Sequence, residues 1–184
     1  MSCFISVEGL ADLERQGKWE DARQLLHKEW THDKLNSGKL IRLLSECWYV
    51  LSLWDCSIYT KNLSYKKFKE TIVECAEFGR RNFNNDDRFL CVAGYMASIL
   101  PNLFYNDDMD DLYSEWEQKG KDMLLRAARI SPDNLICKVL YLGTKGVSEE
   151  YSEAKTQLAT RLNDFFPGST AIEEYFKDIF RDEF

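Results

Sequence analysis

Turn-forming residues are scarce in this sequence: three prolines and nine glycines interrupt 184 residues. A β-sandwich or barrel needs many turns, so this scarcity favours long helices. No stretch of 18 apolar residues is present, so we expect no membrane-spanning helix. The N-terminal segment has neither a basic region nor a long apolar stretch. We therefore expect no signal peptide and a cytoplasmic location.

The residues that most often build metal and catalytic sites are also few. The two histidines, His27 and His32, are five apart, whereas metal ligands on one helix face stand three or four apart. The six cysteines show no close paired spacing, and we expect reduced thiols in the core. Nucleotide-binding loops and hydrolase motifs are missing. We predict no metal, no cofactor and no catalytic residue, with an enzyme of an unfamiliar helical class as the minor alternative.

The charge is acidic and unevenly distributed. The net charge is −7, so we expect no sequence-independent binding to nucleic acid. Residues 106–117 hold six acids and no base, and residues 146–184 carry a local −5. The basic residues between 61 and 88 alternate with acids, so we expect solvated helix faces there rather than an RNA-binding strip. This polarity favours a basic protein as the partner.

Apolar residues recur at spacings of three and four along nearly the whole chain, which predicts an all-α fold in one domain, 1–184. Residues 38–55 are apolar on more than one face, which is typical of a buried central helix. Caps, Pro101, the 131–134 turn and the Pro167-Gly168 turn separate the other helices. We predict about nine helices, over 5–16, 17–30, 38–55, 64–83, 88–100, 110–130, 135–144, 150–166 and the C-terminal segment after 169.

Two segments resemble tetratricopeptide repeats. Leu13-x3-Gly17-x-Trp19-x2-Ala22-x2-Leu25-Leu26 is similar to the junction of the two helices of a repeat, and Gly120-x3-Leu124-x2-Ala127-x4-Pro132 to its second half. Leu90-x3-Gly94 matches first-helix positions. In that family, small residues let paired helices touch. The resemblance implies an irregular α-solenoid of antiparallel helix pairs, and an unrelated helical bundle is the alternative.

Acidic and aromatic side chains are the candidate partner-binding residues. Clustered acids attract a basic surface, and tryptophan and tyrosine dominate binding hot spots. The run at 106–117 has the oxygen spacing of a calcium loop but lacks its glycine, so we interpret it as an acidic helix start or a partner-facing patch. We expect the aromatic candidates, together with Tyr49, to be partly exposed. The candidates are Asp107, Asp108, Asp110, Asp111, Glu115, Trp116, Trp19, Trp30 and Tyr59.

In size, charge and style the chain is similar to bacterial immunity proteins, which neutralise a basic nuclease toxin by covering its active site or nucleic-acid surface. That resemblance implies an inhibitor that binds a toxin domain. The alternative is a tetratricopeptide-like chaperone or assembly adaptor that grips a peptide segment. The sequence leaves the oligomeric state open.

Overall fold

The fold was analysed on a computed structural model, which describes residues 3–56, 58, 60–106 and 110–181. Helices make up 72% of these residues, which confirms the all-α prediction. The α-helices are α1 (Leu10–Arg15), α2 (Trp19–His32), α3 (Ser37–Ser52), α4 (Tyr65–Asn82), α5 (Asp87–Ile99), α6 (Asp110–Ile130), α7 (Leu135–Gly143), α8 (Glu149–Ala159), α9 (Leu162–Phe165) and α10 (Ala171–Arg181). A 3-10 helix, Pro101–Leu103, follows α5.

Four-residue loops join α2 to α3, α4 to α5 and α6 to α7. Each loop ends in a residue whose side chain accepts a backbone N–H of the helix it starts: Asn36, Asp86 and Asn134. The capping residues also connect one pair of helices to the next. Asp86 accepts a hydrogen bond from Ser37 Oγ at 2.5 Å, and Asn134 Nδ2 donates to Asp87 at 3.5 Å. The first residues of α3, α5 and α7 therefore lie side by side.

Alternate helices run parallel. From α2 to α4 the contacts are Glu20 with Lys67, Arg23 with Thr71, His27 with Glu74, and Trp30 with Phe78. Residue numbers rise together along both helices, so the two point the same way. Contacts of α3 with α5, and of α5 with α7, form a second row. Buried apolar residues of all ten α-helices belong to one continuous core.

Helices α5 and α6 approach each other closely where Gly94 faces Gly120. A Cβ placed on Gly120 would lie 2.6 Å from Ser98 N and 2.7 Å from Gly94 O, both backbone atoms. No side chain can move aside to make room, so only glycine fits this crossing. Both glycines are among the small residues of the repeat-like segments.

Both ends of the chain pack against the second row of helices. Cys3 N donates to Phe165 O at 3.0 Å, and the Phe4 ring lies against Phe166 and Phe176. Helix α10 contacts α3 and α8. Its Tyr175 hydroxyl is 2.8 Å from the Tyr95 hydroxyl of α5. The face of α3 and α5 that α10 contacts is thus covered by the chain itself.

Three local predictions were wrong. Helix α1 begins at Leu10 rather than at residue 5, because Gly9 before it has a left-handed φ of 78°. Gly17 does not bring helices together: its φ is 67°, and no atom lies within 4 Å of a Cβ there, so it serves as the turn after α1. The predicted 150–166 helix is two helices. The break at Thr160–Arg161 lets Leu162, Phe165 and Phe166 join the core.

Candidate protein-binding surface

Three predicted aromatic anchors are buried, which corrects the expectation that they are partly exposed. Trp30 is 0% exposed, and Trp116 and Trp19 are nearly as enclosed. Phe78 of α4 meets the Trp30 ring edge-on at 5.3 Å, and the ammonium of Lys34 lies 4.9 Å from it. Polar neighbours in sequence suggested exposure, but these contacts come from another helix and from the following loop. Tyr49 is half-buried, as expected.

Trp116 shows how a tryptophan in an acidic run becomes buried. Its ring packs on Phe104, which follows the 3-10 helix, with centroids 5.4 Å apart. Arg80 of α4 and Lys119 of α6 place their cationic groups 5.3 and 4.8 Å from the ring centroid. Trp116 therefore fixes the start of α6 to the rest of the fold, and its ring is not a surface a partner can reach.

The acidic run becomes helical at Asp110, as predicted. Asp111 and Glu115 are exposed. Asp107, Asp108 and the Asp110 side chain lie outside the described residues, as does Tyr59. Gly120 faces the last turn of α5, so residues 110–117 lie beyond the end of that helix, against the 3-10 helix. Two helical turns, about 12 Å long, thus carry the described acids past α5.

Lysines one turn further along α6 partly neutralise the run. Lys119 Nζ is 2.5 Å from Glu115 Oε1, and Lys121 Nζ is 2.5 Å from Glu117 Oε1. The hydrogen bond from Lys119 and its charge lower the pKa of Glu115. The negative electrostatic field of the acidic run is consequently weaker than a count of six acids indicates.

Apolar side chains are exposed at the same end of the molecule. We call this end, formed by the last turns of α3, α5 and α7, the first turns of α4, α6 and α8 and the segments between them, the loop end. Its exposed apolar residues are Tyr65, Ile99 (51% exposed), Tyr113 (46%) and Val147 (87%). Tyr113 lies within the acidic run, between Asp111 and Glu115. It is the anchor candidate that sequence reasoning missed, because no signal in the sequence shows that Trp116 is buried and Tyr113 exposed.

Two adjoining cavities lie beside the loop end. One, of about 330 Å³, is lined by Ile99, Leu124 and Ile179 among others. The second, of about 730 Å³, is lined by Val147 and Lys155 among others. They share Gly143, Tyr151 and Phe180 as lining residues, so they form one depression between the α7–α8 loop and α10. Side chains of a docked protein fit cavities of this size.

Most cations of the basic region have a partner within the protein. Lys66, Lys67, Arg81 and Arg88 each pair with a carboxylate, and Lys69 and Arg80 lie over the rings of Tyr105 and Trp116. Six of its seven cations are thus engaged within the protein. The side chains of Lys66, Lys67 and Arg81 are 83, 61 and 76% exposed, so these pairs lie on solvated helix faces.

The cysteines behave as small core residues, with one exception. Cys3, Cys47, Cys75, Cys91 and Cys137 are buried free thiols, and Cys56 is exposed. Burial raises the pKa of the Cys3 thiol to about 12 and the pKa values of the Cys47 and Cys75 thiols well above their usual range. His27 Nε2 lies 3.6 Å from Glu74. Across the described ranges, no group of three His, Cys, Asp or Glu side chains is placed to hold a metal ion.

Comparisons with known proteins return no match: no family model, no curated protein and no solved structure is significantly similar to the chain. Within the described residues, no helix has both the length and the apolar character needed to cross a bilayer.

Proposed function

We propose that the chain is a protein-binding inhibitor that captures a basic partner, such as a toxin domain, on its loop end. The observation that carries this proposal is the start of α6. There the exposed Tyr113 lies one turn before Glu117 on the same face of α6, and the exposed Asp111 and Glu115 lie across the helix from it, within the two turns that extend past α5. An exposed aromatic anchor flanked by charge is the composition of a binding hot spot. The cavities beside Ile99 and Val147 extend the same surface.

The coverage of α3 and α5 by α10 supports an inhibitor over a peptide-gripping adaptor. An adaptor of the tetratricopeptide type uses an open concave groove for an extended segment. Here Tyr175 and Phe176 of α10 cover part of α3 and α5, with the Tyr175 ring 5.5 Å from Trp48 and the Phe176 ring 5.5 Å from Tyr95. The exposed Ile99, Tyr113 and Val147 lie instead at the loop end, together with the described part of the acidic run, which suits a folded partner.

The proposal has three further parts: binding occurs without catalysis, in the cytoplasm, and on an irregular α-solenoid. Support for the solenoid comes from the recurring arrangement of a helix, a four-residue loop and a capped helix, with the caps at Asn36, Asp86 and Asn134. Parallel contacts between alternate helices are the arrangement expected in a helical-repeat array.

The test is a rate measurement on the partner recovered from the organism that encodes the chain. Replacing Asp107, Asp108, Asp110 and Asp111 with asparagine removes four charges and preserves side-chain size. We expect association to slow, and the wild-type rate to fall steeply with salt, because screening acts over about 10 Å at 0.1 M. Tyr113→Ala is expected to raise the dissociation rate about thirtyfold, the equivalent of a hot spot of about 2 kcal/mol.

Leu35→Ala is the control. Leu35 is also an exposed apolar residue (75% exposed), but it lies in the loop between α2 and α3, at the end of the molecule opposite to the loop end. Its rates should equal those of the wild type. Circular dichroism should show unchanged helix content in every variant. If Tyr113→Ala and the four-asparagine variant bind at wild-type rates, the loop end is not the binding surface.

A further inference from the structure

Three charged side chains form a buried cluster in the centre of the molecule. Arg42 and Glu46, one turn apart on α3, are both 0% exposed, and Glu14 of α1 is nearly as enclosed. Arg42 Nη2 donates to Glu14 Oε1 at 2.6 Å and lies 3.3 Å from Glu46 Oε2. Among the described residues, no N–H or O–H donates to either oxygen of Glu46. One cation thus serves two carboxyl groups.

The same cluster connects the two ends of the chain to α3. The second oxygen of Glu14 accepts the backbone N–H of Ala171, the first residue of α10, at 2.6 Å. The guanidinium of Arg42 lies 5.8 Å from the centroid of the Phe4 ring. Glu14 therefore links α10 to α1, and Arg42 links both to α3.

The charge of the cluster depends on one proton. With Glu46 protonated, one carboxylate balances one guanidinium and the cluster is neutral. With Glu46 ionised, an uncompensated negative charge is buried, which is strongly unfavourable. Burial and the neighbouring Glu14 raise the pKa of Glu46 to about 8, against the attraction of Arg42.

Other charged groups around the cluster do not supply a second cation to Glu46. The groups that act on it or on its neighbours in α3 are Glu14 from α1, Arg42, Cys47 and Tyr49 from α3, Glu20 and Arg23 from α2, Cys75 from α4 and Asp178 from α10. Arg23 is itself paired with Glu20 at 2.8 Å. The negative charge of an ionised Glu46 is relieved when Glu14 moves away.

We propose that the Glu14–Arg42–Glu46 cluster is a proton-operated latch that holds α1 and α10 on α3, and that loss of the Glu46 proton releases them. Moving Glu14 out frees Arg42 for Glu46 and removes the acceptor of the Ala171 N–H. Release of α10 then uncovers the aromatic side chains that Tyr175 and Phe176 contact, Trp48, Tyr49 and Tyr95. Release of α10 would also change the depression that Ile179 and Phe180 line, but Tyr113 and the acidic run lie outside that depression.

Amide hydrogen exchange of the full chain, read by mass spectrometry between pH 5.5 and pH 8, tests the latch. Opening that releases one proton becomes up to tenfold more frequent per pH unit. After correction for intrinsic exchange rates, the protection factors of α10 amides should fall by up to tenfold for each pH unit. The protection factors of α5 and α6 amides should change little. In Glu46→Gln, which stays neutral, protection of α10 should not depend on pH and should exceed the wild-type value at pH 8.

Glu14→Gln is the second variant. This substitution removes one of the two carboxylates, so Arg42 then pairs with Glu46 alone. The pH dependence of α10 protection should become smaller. Because the acceptor of the Ala171 N–H is weakened, α10 should open more often at pH 5.5 than in the wild type. Two results would overturn the latch. One is a wild-type α10 whose protection does not change with pH, or changes equally in Glu46→Gln. The other is an equal loss of protection in α5, α6 and α10, because that is global unfolding and not release of the ends.

Discussion

Replacing Gly120 with alanine is expected to lower the free energy of unfolding by about 2–3 kcal/mol, the cost of overpacking a tight contact. The added methyl group would lie within 2.7 Å of backbone atoms of Ser98 and Gly94, so α5 and α6 must separate. For a chain of this size the melting temperature should fall by roughly 5–10 °C. Urea denaturation followed by circular dichroism gives the free energy directly.

Gly143→Ala is the matched control at the end of α7. A Cβ there would lie 3.5 Å from Tyr151 Cε2, an ordinary van der Waals contact. Alanine favours a helix over glycine by up to about 1 kcal/mol, so stability should stay constant or rise slightly. If Gly120→Ala and Gly143→Ala have equal stability, α5 and α6 do not approach as closely as described.

Arg42→Met should destabilise the fold by about 3–5 kcal/mol at neutral pH, because it leaves buried carboxyl groups without their cation. Lys39→Met, on the same helix, removes a more exposed ion pair: Lys39 Nζ is 3.1 Å from Glu29 Oε2. Such surface pairs contribute about 0–1 kcal/mol. Chemical denaturation of the two variants compares a buried pair with a surface pair, and equal losses would contradict the buried cluster.

The direction in which pH changes the stability of the fold follows from the pKa of Glu46. Its pKa is raised from 4.5 to about 8 in the folded protein, so the folded state retains a proton that the unfolded state has released. That contribution to stability is complete below pH 4.5 and is lost as the pH rises towards 8. The free energy of unfolding of the wild type should therefore fall between pH 5 and pH 8, and that of Glu46→Gln should not show this fall.

Helix positions followed well from the sequence because local signals set them. The face of α2 that includes Ala22 and Leu26 is buried at the spacing that predicted it. The caps at Asp86 and Asn134 fall in the predicted turns. Contacts between segments distant in the sequence could not be predicted from it. The exposure of Trp30 depends on Phe78, 48 residues later, and no pattern around Trp30 announces that contact.

Two signals in the sequence were informative but unused. Arg42 and Glu46 stand four residues apart inside the apolar segment 38–55, a spacing that places both on one side of a buried helix. The capping residues Asn36, Asp86 and Asn134 recur about every 50 residues, which marks the three helix pairs better than a search for shorter repeats. Tyr113 lacked a comparable signal, since burial of the adjacent Trp116 decides which ring faces outward.

Site-specific photo-crosslinking in the organism that encodes the chain tests the central claim most directly. A photoreactive phenylalanine derivative is placed at position 113, at the loop end, or at position 35, which is the more exposed of the two positions and lies at the opposite end. We predict one basic protein crosslinked from position 113, absent from position 35, and reduced by the four-asparagine substitution. Equal crosslinking of that protein from position 35, or none from position 113, would contradict binding at the loop end.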